Sequence, residues 1–249
     1  MTFVTDLKYD EVAPIVLPAK EPPSSPEHAA AVVFLHGLGS KASEWTDLTT
    51  RLATLHPHIQ FHLPTAPFNP VPSKTAWLPP LFSGAVPPAS RPSPVPQDDL
   101  PSLLASVSYL DTFLSSLVSS GVAPHRIVLA GFSQGGILSL LHLLVSERFS
   151  GRLAGVVGLC GYLPVKEEVG RLRGERGLSE DVGKVEVFLA QGKEDVWVPG
   201  WMWEDTLKGL GEFGVEGVDG REYDGGHEVS AKLEGDLGQW LGRVLPRLG

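Results

Sequence analysis

The pentapeptide Gly131-Phe132-Ser133-Gln134-Gly135 sets a serine between two glycines at the spacing of a nucleophile elbow. In such an elbow the hydroxyl stands on a tight turn from strand to helix, so the positions two before and two after it must be small. The pentapeptide alone is weak evidence. Its flanks strengthen it, because the segment before it (125–130) reads as a buried strand and Ile137 to Val145 reads as an apolar helix. A serine hydroxyl is a poor nucleophile until a base takes its proton, and histidine is the side chain whose titration range suits that task. Among eight histidines, His227 follows the last expected strand and precedes the C-terminal helix, which is the base position when the chain order is serine, acid, histidine. His36, His56, His58 and His62 all precede the elbow.

The acid of such a relay belongs between Ser133 and His227, on a loop at the carboxyl end of a strand. Gln191-Gly192-Lys193-Glu194-Asp195 follows the β-rich run Val185 to Ala190 and offers two carboxylates. Asp195 is the first choice, since the apolar Val196-Trp197-Val198-Pro199 would anchor it. Glu194 is the rival, and Asp224 is the third candidate. Acyl transfer also needs donors aimed at a developing oxyanion. The amide of Gln134, next to the nucleophile, is one. The turn His36-Gly37-Leu38-Gly39 after the strand Ala31 to Leu35 supplies the amide of Leu38 as the second.

These side chains need a frame. Short β-rich runs at Ala31 to Leu35, Ile59 to Leu63, Arg126 to Ala130, Leu153 to Leu159, Val185 to Ala190 and Val215 to Tyr223 alternate with helical patterns. That alternation predicts an α/β class with a mainly parallel central sheet and helices on both faces. Leu100, Leu103, Leu104, Val107, Leu110, Leu114, Leu117 and Val118 recur at helical steps, with Asp98 or Asp99 as cap and Gly121 as stop. Leu233, Leu237, Trp240, Leu241, Val244 and Leu245 repeat the pattern near the C-terminus. Eleven prolines between residues 64 and 96 argue against regular structure there. Its first half, with Trp77, Leu78, Leu81 and Phe82, is expected to pack on something, and the stretch as a whole is a candidate lid. Residues 1–30 read as an N-terminal arm or edge strand, and the 249 residues as one domain.

Composition narrows the partners. A formal net charge of −9 argues against nucleic acid or an anionic membrane as the main partner. The N-terminus lacks the apolar core of a secretory signal, and no apolar run of bilayer length is expected, so no stable membrane insertion is foreseen. Cys160 is the single cysteine, which excludes an internal disulfide and fits a cytoplasmic protein. Cys160 itself reads as inert packing beside a buried strand. No metal site is expected: His56, His58 and His62 show no convergent ligand spacing. His36-Gly37-Leu38-Gly39-Ser40 lacks the spacing of a phosphate loop.

Phe34 to Gly39 (FLHGLG), Gly131 to Gly136 (GFSQGG), Leu159 to Pro164 (LCGYLP), Gly192 to Pro199 (GKEDVWVP) and Gly225 to Ser230 (GGHEVS) occur in this order from about residue 31 to the C-terminus. Together they resemble the acyl-protein thioesterase and small carboxylesterase family of the α/β-hydrolase fold. The resemblance implies a serine hydrolase of esters or thioesters, with Ser133, Asp195 and His227 on the triad positions, Leu38 and Gln134 on the oxyanion positions, and no cofactor. It also implies a small-molecule ester or thioester, or a lipidated protein, as substrate. A monomer or homodimer is expected. Trp77, Leu78 and Trp197 flank the active-site loops and are the candidate substrate-binding residues. Three positions depart from the family pattern: Thr75-Ala76-Trp77-Leu78 stands for a Ser-Trp-Phe-Asp-like segment, Cys160 for a serine and Gln191 for a histidine. The rival readings are a releasing thioesterase of a biosynthetic pathway, a same-fold serine peptidase, and a binding module on a dead hydrolase.

Overall fold

Buried β-branched runs become the strands of the sheet that carries the site. A computed structural model describes residues 8–9, 11–69, 73–79 and 98–248. In chain order the elements are β1 (Ile15–Leu17), β2 (Ala30–Leu35), α1 (Thr46–Leu55), β3 (Ile59–Leu63), β4 (Phe68–Asn69), β5 (Lys74–Thr75), α2 (Leu100–Ser119) and β6 (Ile127–Phe132). They continue as α3 (Gln134–Val145), β7 (Gly155–Leu159), α4 (Lys166–Glu175), β8 (Gly183–Gly192), α5 (Gly200–Glu212), β9 (Val215–Tyr223) and α6 (Ala231–Val244). Seven strands form one sheet in the order β1-β3-β2-β6-β7-β8-β9. Only β1 runs antiparallel, against β3, at one edge of the sheet.

Both faces of the sheet are covered, which explains why its central strands read as continuous apolar runs. The period of two still decides which face each residue serves. Ala31, Val33 and Leu35 of β2 pack with Leu103, Leu110, Leu114, Leu138 and Leu141 of α2 and α3. Ala30, Val32 and Phe34 pack with Leu48 and Leu52 of α1 and with Leu233, Leu237 and Trp240 of α6. This is the α/β-hydrolase arrangement, with helices on both faces. All twelve residues of α3 are buried. Its C-terminal carbonyls find partners in α4 and at its C-cap: Arg173 donates to Leu144 O and Arg176 to Val145 O. Those guanidiniums satisfy groups that a buried helix end would leave orphaned.

The structure corrects the sequence reading at two places. The proline-rich stretch does contain regular structure, because Phe68 pairs with Thr75 and Asn69 with Lys74 in a short antiparallel hairpin. Residues 70–72 and 80–97, which include most of the candidate lid, lie outside the described residues. Second, α2 is long and apolar enough by composition to cross a bilayer, so a run of that length does exist. Its Leu103, Val107, Leu110, Leu114 and Leu117 are buried in the core cluster, which accounts for the apolar stripe.

Candidate active site

The elbow forms because two glycines let backbone meet backbone. A Cβ on Gly131 would stand 2.2 Å from the carbonyl carbon of Gly135, and one on Gly135 would stand 2.2 Å from Leu35 O. Between them Ser133 adopts φ 54° and ψ −119°, a region costly for any residue with a Cβ. The strain is held from both sides: Ser133 N donates to Leu159 O at 2.8 Å, and Ile137 N donates to Ser133 O at 2.9 Å. The hydroxyl therefore stands at the carboxyl end of β6 and the N-terminus of α3. Gln134 opens α3, so its amide has no intrahelical acceptor and is available to an anion.

The loop after β2 comes close enough that a Cβ on Gly37 would stand 3.1 Å from Ser133 Cβ. His36, buried to 1% exposure, controls that loop. Its Nε2 accepts the amide of Ala66 at 2.9 Å, so its Nδ1 carries the proton and donates to Gly37 O at 2.7 Å. Burial holds the His36 pKa below the ordinary histidine value, outweighing the raising effect of Gly37 O, so the ring stays neutral in this role. In a trans peptide the C=O and the following N–H point opposite ways. Pinning Gly37 O therefore aims the Leu38 amide away from His36. Gly39 continues the turn at φ 72° and donates its amide to Thr75 O at 2.8 Å, which ties the loop to β5.

Trp77 is fully buried, so the structure corrects its assignment as a wall for substrate. Its indole Nε1 donates to His36 O at 2.8 Å, and its backbone N donates to Gln134 Oε1 at 3.2 Å. Leu78 is buried too, and its carbonyl accepts from Gln134 Nε2 at 3.0 Å. The Gln134 side chain thus stitches residues 77 and 78 to the elbow. Trp77 thus braces the loop that carries Leu38, and Leu78 is tied to the start of α3. Trp197 differs: it is 40% exposed, and its amide donates to Asp195.

His227 lies between the serine and the acid. Its Nε2 is 2.9 Å from Ser133 Oγ, and its Nδ1 is 2.7 Å from Asp195 Oδ2. The other carboxylate oxygen of Asp195 accepts the amides of Trp197 at 2.8 Å and Val198 at 3.0 Å. The Asp195 side chain has no exposure, while the histidine ring keeps 19%. The rivals stand elsewhere: Glu194 is exposed, and Asp224 pairs with exposed Lys193 at 2.7 Å. Gly192 makes the approach of the two loops feasible, since a Cβ there would meet Gly226 O at 2.1 Å. The structure brings Ser133, His227 and Asp195 into one hydrogen-bonded chain, with Gly37 close to the serine and Gln134 next to it in the chain.

Sequence reasoning placed Cys160 as packing and missed its neighbours. It takes φ 50°, its amide donates to Ala190 O at 2.7 Å, and its thiol reaches Glu228 O at 3.6 Å. Its Sγ, an Asp195 oxygen and a His227 nitrogen lie within 4.8 Å of one another. These are metal-ligating types, but Asp195 is already engaged by His227 and two amides. Burial, followed by the charge of Asp195, pushes the Cys160 thiol up to about 12. The raised pKa keeps the thiol protonated, and the thiolate is the reactive form. Native protein should accordingly take up no iodoacetamide over an hour, whereas unfolded protein should take up one equivalent. Stoichiometric native labelling, read by intact mass, would contradict this placement of Cys160.

A family model described as phospholipase/carboxylesterase matches residues 20–236. The acyl-protein thioesterase 1 of Yarrowia lipolytica is 30% identical over 230 residues, covering 90% of this chain and 96% of that protein. The acyl-protein thioesterase 1 of Cryptococcus neoformans is 32% identical over 168 residues, covering 68% of this chain and 67% of that protein. The crystal structure of Zea mays acyl-protein thioesterase 2 is similar in fold, with a TM-score of 0.71 at 23% identity, covering 93% of this chain and 98% of that one.

Proposed function

The chain belongs to the phospholipase/carboxylesterase family of α/β-hydrolases, and from that premise we propose that it hydrolyses carboxylic esters or thioesters through an acyl-enzyme on Ser133. The observation that carries the reading is the chain from Ser133 Oγ through His227 to the enclosed carboxylate of Asp195. In the first half-reaction Ser133 Oγ attacks the acyl carbonyl carbon while His227 Nε2 takes the hydroxyl proton. Asp195 holds the Nδ1–H tautomer and stabilises the imidazolium. The carbonyl oxygen becomes an oxyanion facing the amides of Leu38 and Gln134. Collapse breaks the bond to the leaving oxygen or sulfur, which takes the proton from His227. In the second half-reaction water repeats the sequence, His227 accepts its proton, and the acid leaves with Ser133 restored.

The names of the curated relatives support an S-acylated protein as one substrate. The single cysteine, Cys160, fits action in the cytoplasm, and the whole chain acts as one hydrolase domain. A binding module on a dead hydrolase would need a broken constellation, whereas these three side chains stand within hydrogen-bond reach of one another. A fluorophosphonate probe tests the reading directly, because it forms a stable adduct with a serine that a base has activated. One equivalent should attach, and peptide mass mapping should find it on Ser133. Adduct on another residue, or none after long incubation, would refute the assignment.

A further inference from the structure

Beside the catalytic residues an open cavity of about 420 Å³ is lined by Phe132, which precedes Ser133, and by Glu228 and Val229, which follow His227. Its floor is aromatic. Phe132, the residue before the nucleophile, has its ring 4.9 Å from the His227 ring and 4.9 Å from the Trp45 ring. Val229, two residues past the base, closes one side. Among the described residues four carboxylates line the cavity, Glu44, Asp47, Glu228 and Glu234, with one cation, Arg51. Arg51 is engaged already, since Glu234 holds it through two bonds of 2.6 and 2.8 Å. Glu44 accepts the Ser40 hydroxyl at 2.7 Å.

The chemistry says what occupies this place. The leaving atom departs with a proton from His227, so the leaving group must lie on the histidine side of the tetrahedral centre, with the acyl part on Ser133 opposite. We propose that this cavity receives the leaving group and favours one that carries positive charge, the thiol of a lysine- or arginine-rich peptide. The inference rests on the acyl-enzyme reading above and adds the class of leaving group to it. Three net negative charges on the lining attract a cation through Coulomb forces. An acyl chain would fit poorly, because burying it there would strip water from carboxylates without giving them partners.

The experiment uses paired S-acyl-cysteine peptides, identical except that lysines or glutamates flank the acylated cysteine, beside neutral p-nitrophenyl butyrate. The lysine peptide should be cleaved with a kcat/KM about fivefold or more above the glutamate peptide at low salt, since each rim contact contributes modestly. That ratio should fall toward one as ionic strength rises. In the Asp47→Asn, Glu228→Gln double variant the ratio should drop below about twofold. Asp47→Asn alone, on the exposed side of α1, serves if the double variant folds poorly. Hydrolysis of the neutral ester with a peptide ratio near one would overturn the cation preference while the serine hydrolase reading stood. A ratio that persists in the variants would place charge selection elsewhere and overturn the proposal as well. Failure to hydrolyse any of the three substrates would overturn both readings.

Discussion

Ser133→Ala should lower kcat for a p-nitrophenyl ester by about 10⁴-fold or more while the protein keeps its fold. The loss is large because the side chain forms the bond to carbon that splits one difficult displacement into two easier ones. A residual rate above the reaction in water should survive, because the substitution leaves the proposed oxyanion donors, the Leu38 and Gln134 amides, unchanged. Stability should hardly change. Alanine has the same Cβ as serine at φ 54°, so it bears the same backbone strain. His227 Nε2 loses its partner at 2.9 Å, but the ring is 19% exposed and water can replace the hydroxyl. Ser133→Gly separates the two properties further. Glycine accepts positive φ without penalty, so that variant should be inactive yet melt about 2–4 °C higher, as relief of about 1 kcal/mol implies for a chain of this size. Turnover in Ser133→Ala above about 1% of the parent would sink the nucleophile assignment.

The parts of this architecture legible in the sequence are those a repeating pattern records. Ile59–Leu63 and Val215–Tyr223 emerge with the expected ends, and β2, β6 and β7 shift by one or two residues. Strands buried on both faces stand out as apolar runs, and an amphipathic helix such as α2 stands out by its stripe. The hairpin of Phe68–Asn69 and Lys74–Thr75 leaves no such trace, because two residues cannot show a period. α4 is also faint: Val169 and Leu172 are its buried apolar residues, and its buried Arg173 reads as surface charge.

The site divides along the same line. Ser133, Asp195 and His227 are readable because their order and loop positions follow from the strands that precede them. Three features depend on contacts far apart in the chain. Whether Trp77 faces solvent or the interior is decided by partners at His36 and Gln134, 41 and 57 residues away. His36 looks like a strand exit until Ala66, 30 residues on, fixes its tautomer. Cys160 meets Asp195 only because β7 and β8 are neighbours in the sheet, so that residues at the ends of both strands meet above it. Pattern along a chain carries no record of such meetings.

Asp195→Asn should reduce kcat by about 10⁴-fold with little change in KM, and the reason lies in which way the new amide must face. The Oδ1 position accepts two backbone donors, Trp197 N–H at 2.8 Å and Val198 N–H at 3.0 Å. An asparagine can satisfy both only by keeping its oxygen there, which turns its NH₂ toward His227. A donor at that point forces the histidine to accept at Nδ1 and to carry its proton on Nε2. The nitrogen 2.9 Å from Ser133 Oγ then cannot take the serine proton, although every side chain is in place. Asp195→Ala should also be inactive but less stable, since it leaves the Trp197 and Val198 amides without their acceptor, at about 1–3 kcal/mol for each buried unpaired group. Glu194→Gln and Asp224→Asn serve as controls, since one side chain is exposed and the other pairs with exposed Lys193. Each should stay within about threefold of the parent, as a surface charge pair contributes little. Steady-state kinetics on one neutral ester compares all four variants, and fluorophosphonate labelling rates should fall in parallel for the two Asp195 variants. A large loss in Asp224→Asn with activity retained in Asp195→Asn would move the acid to the far side of the Gly225-Gly226 turn and break the proposed relay.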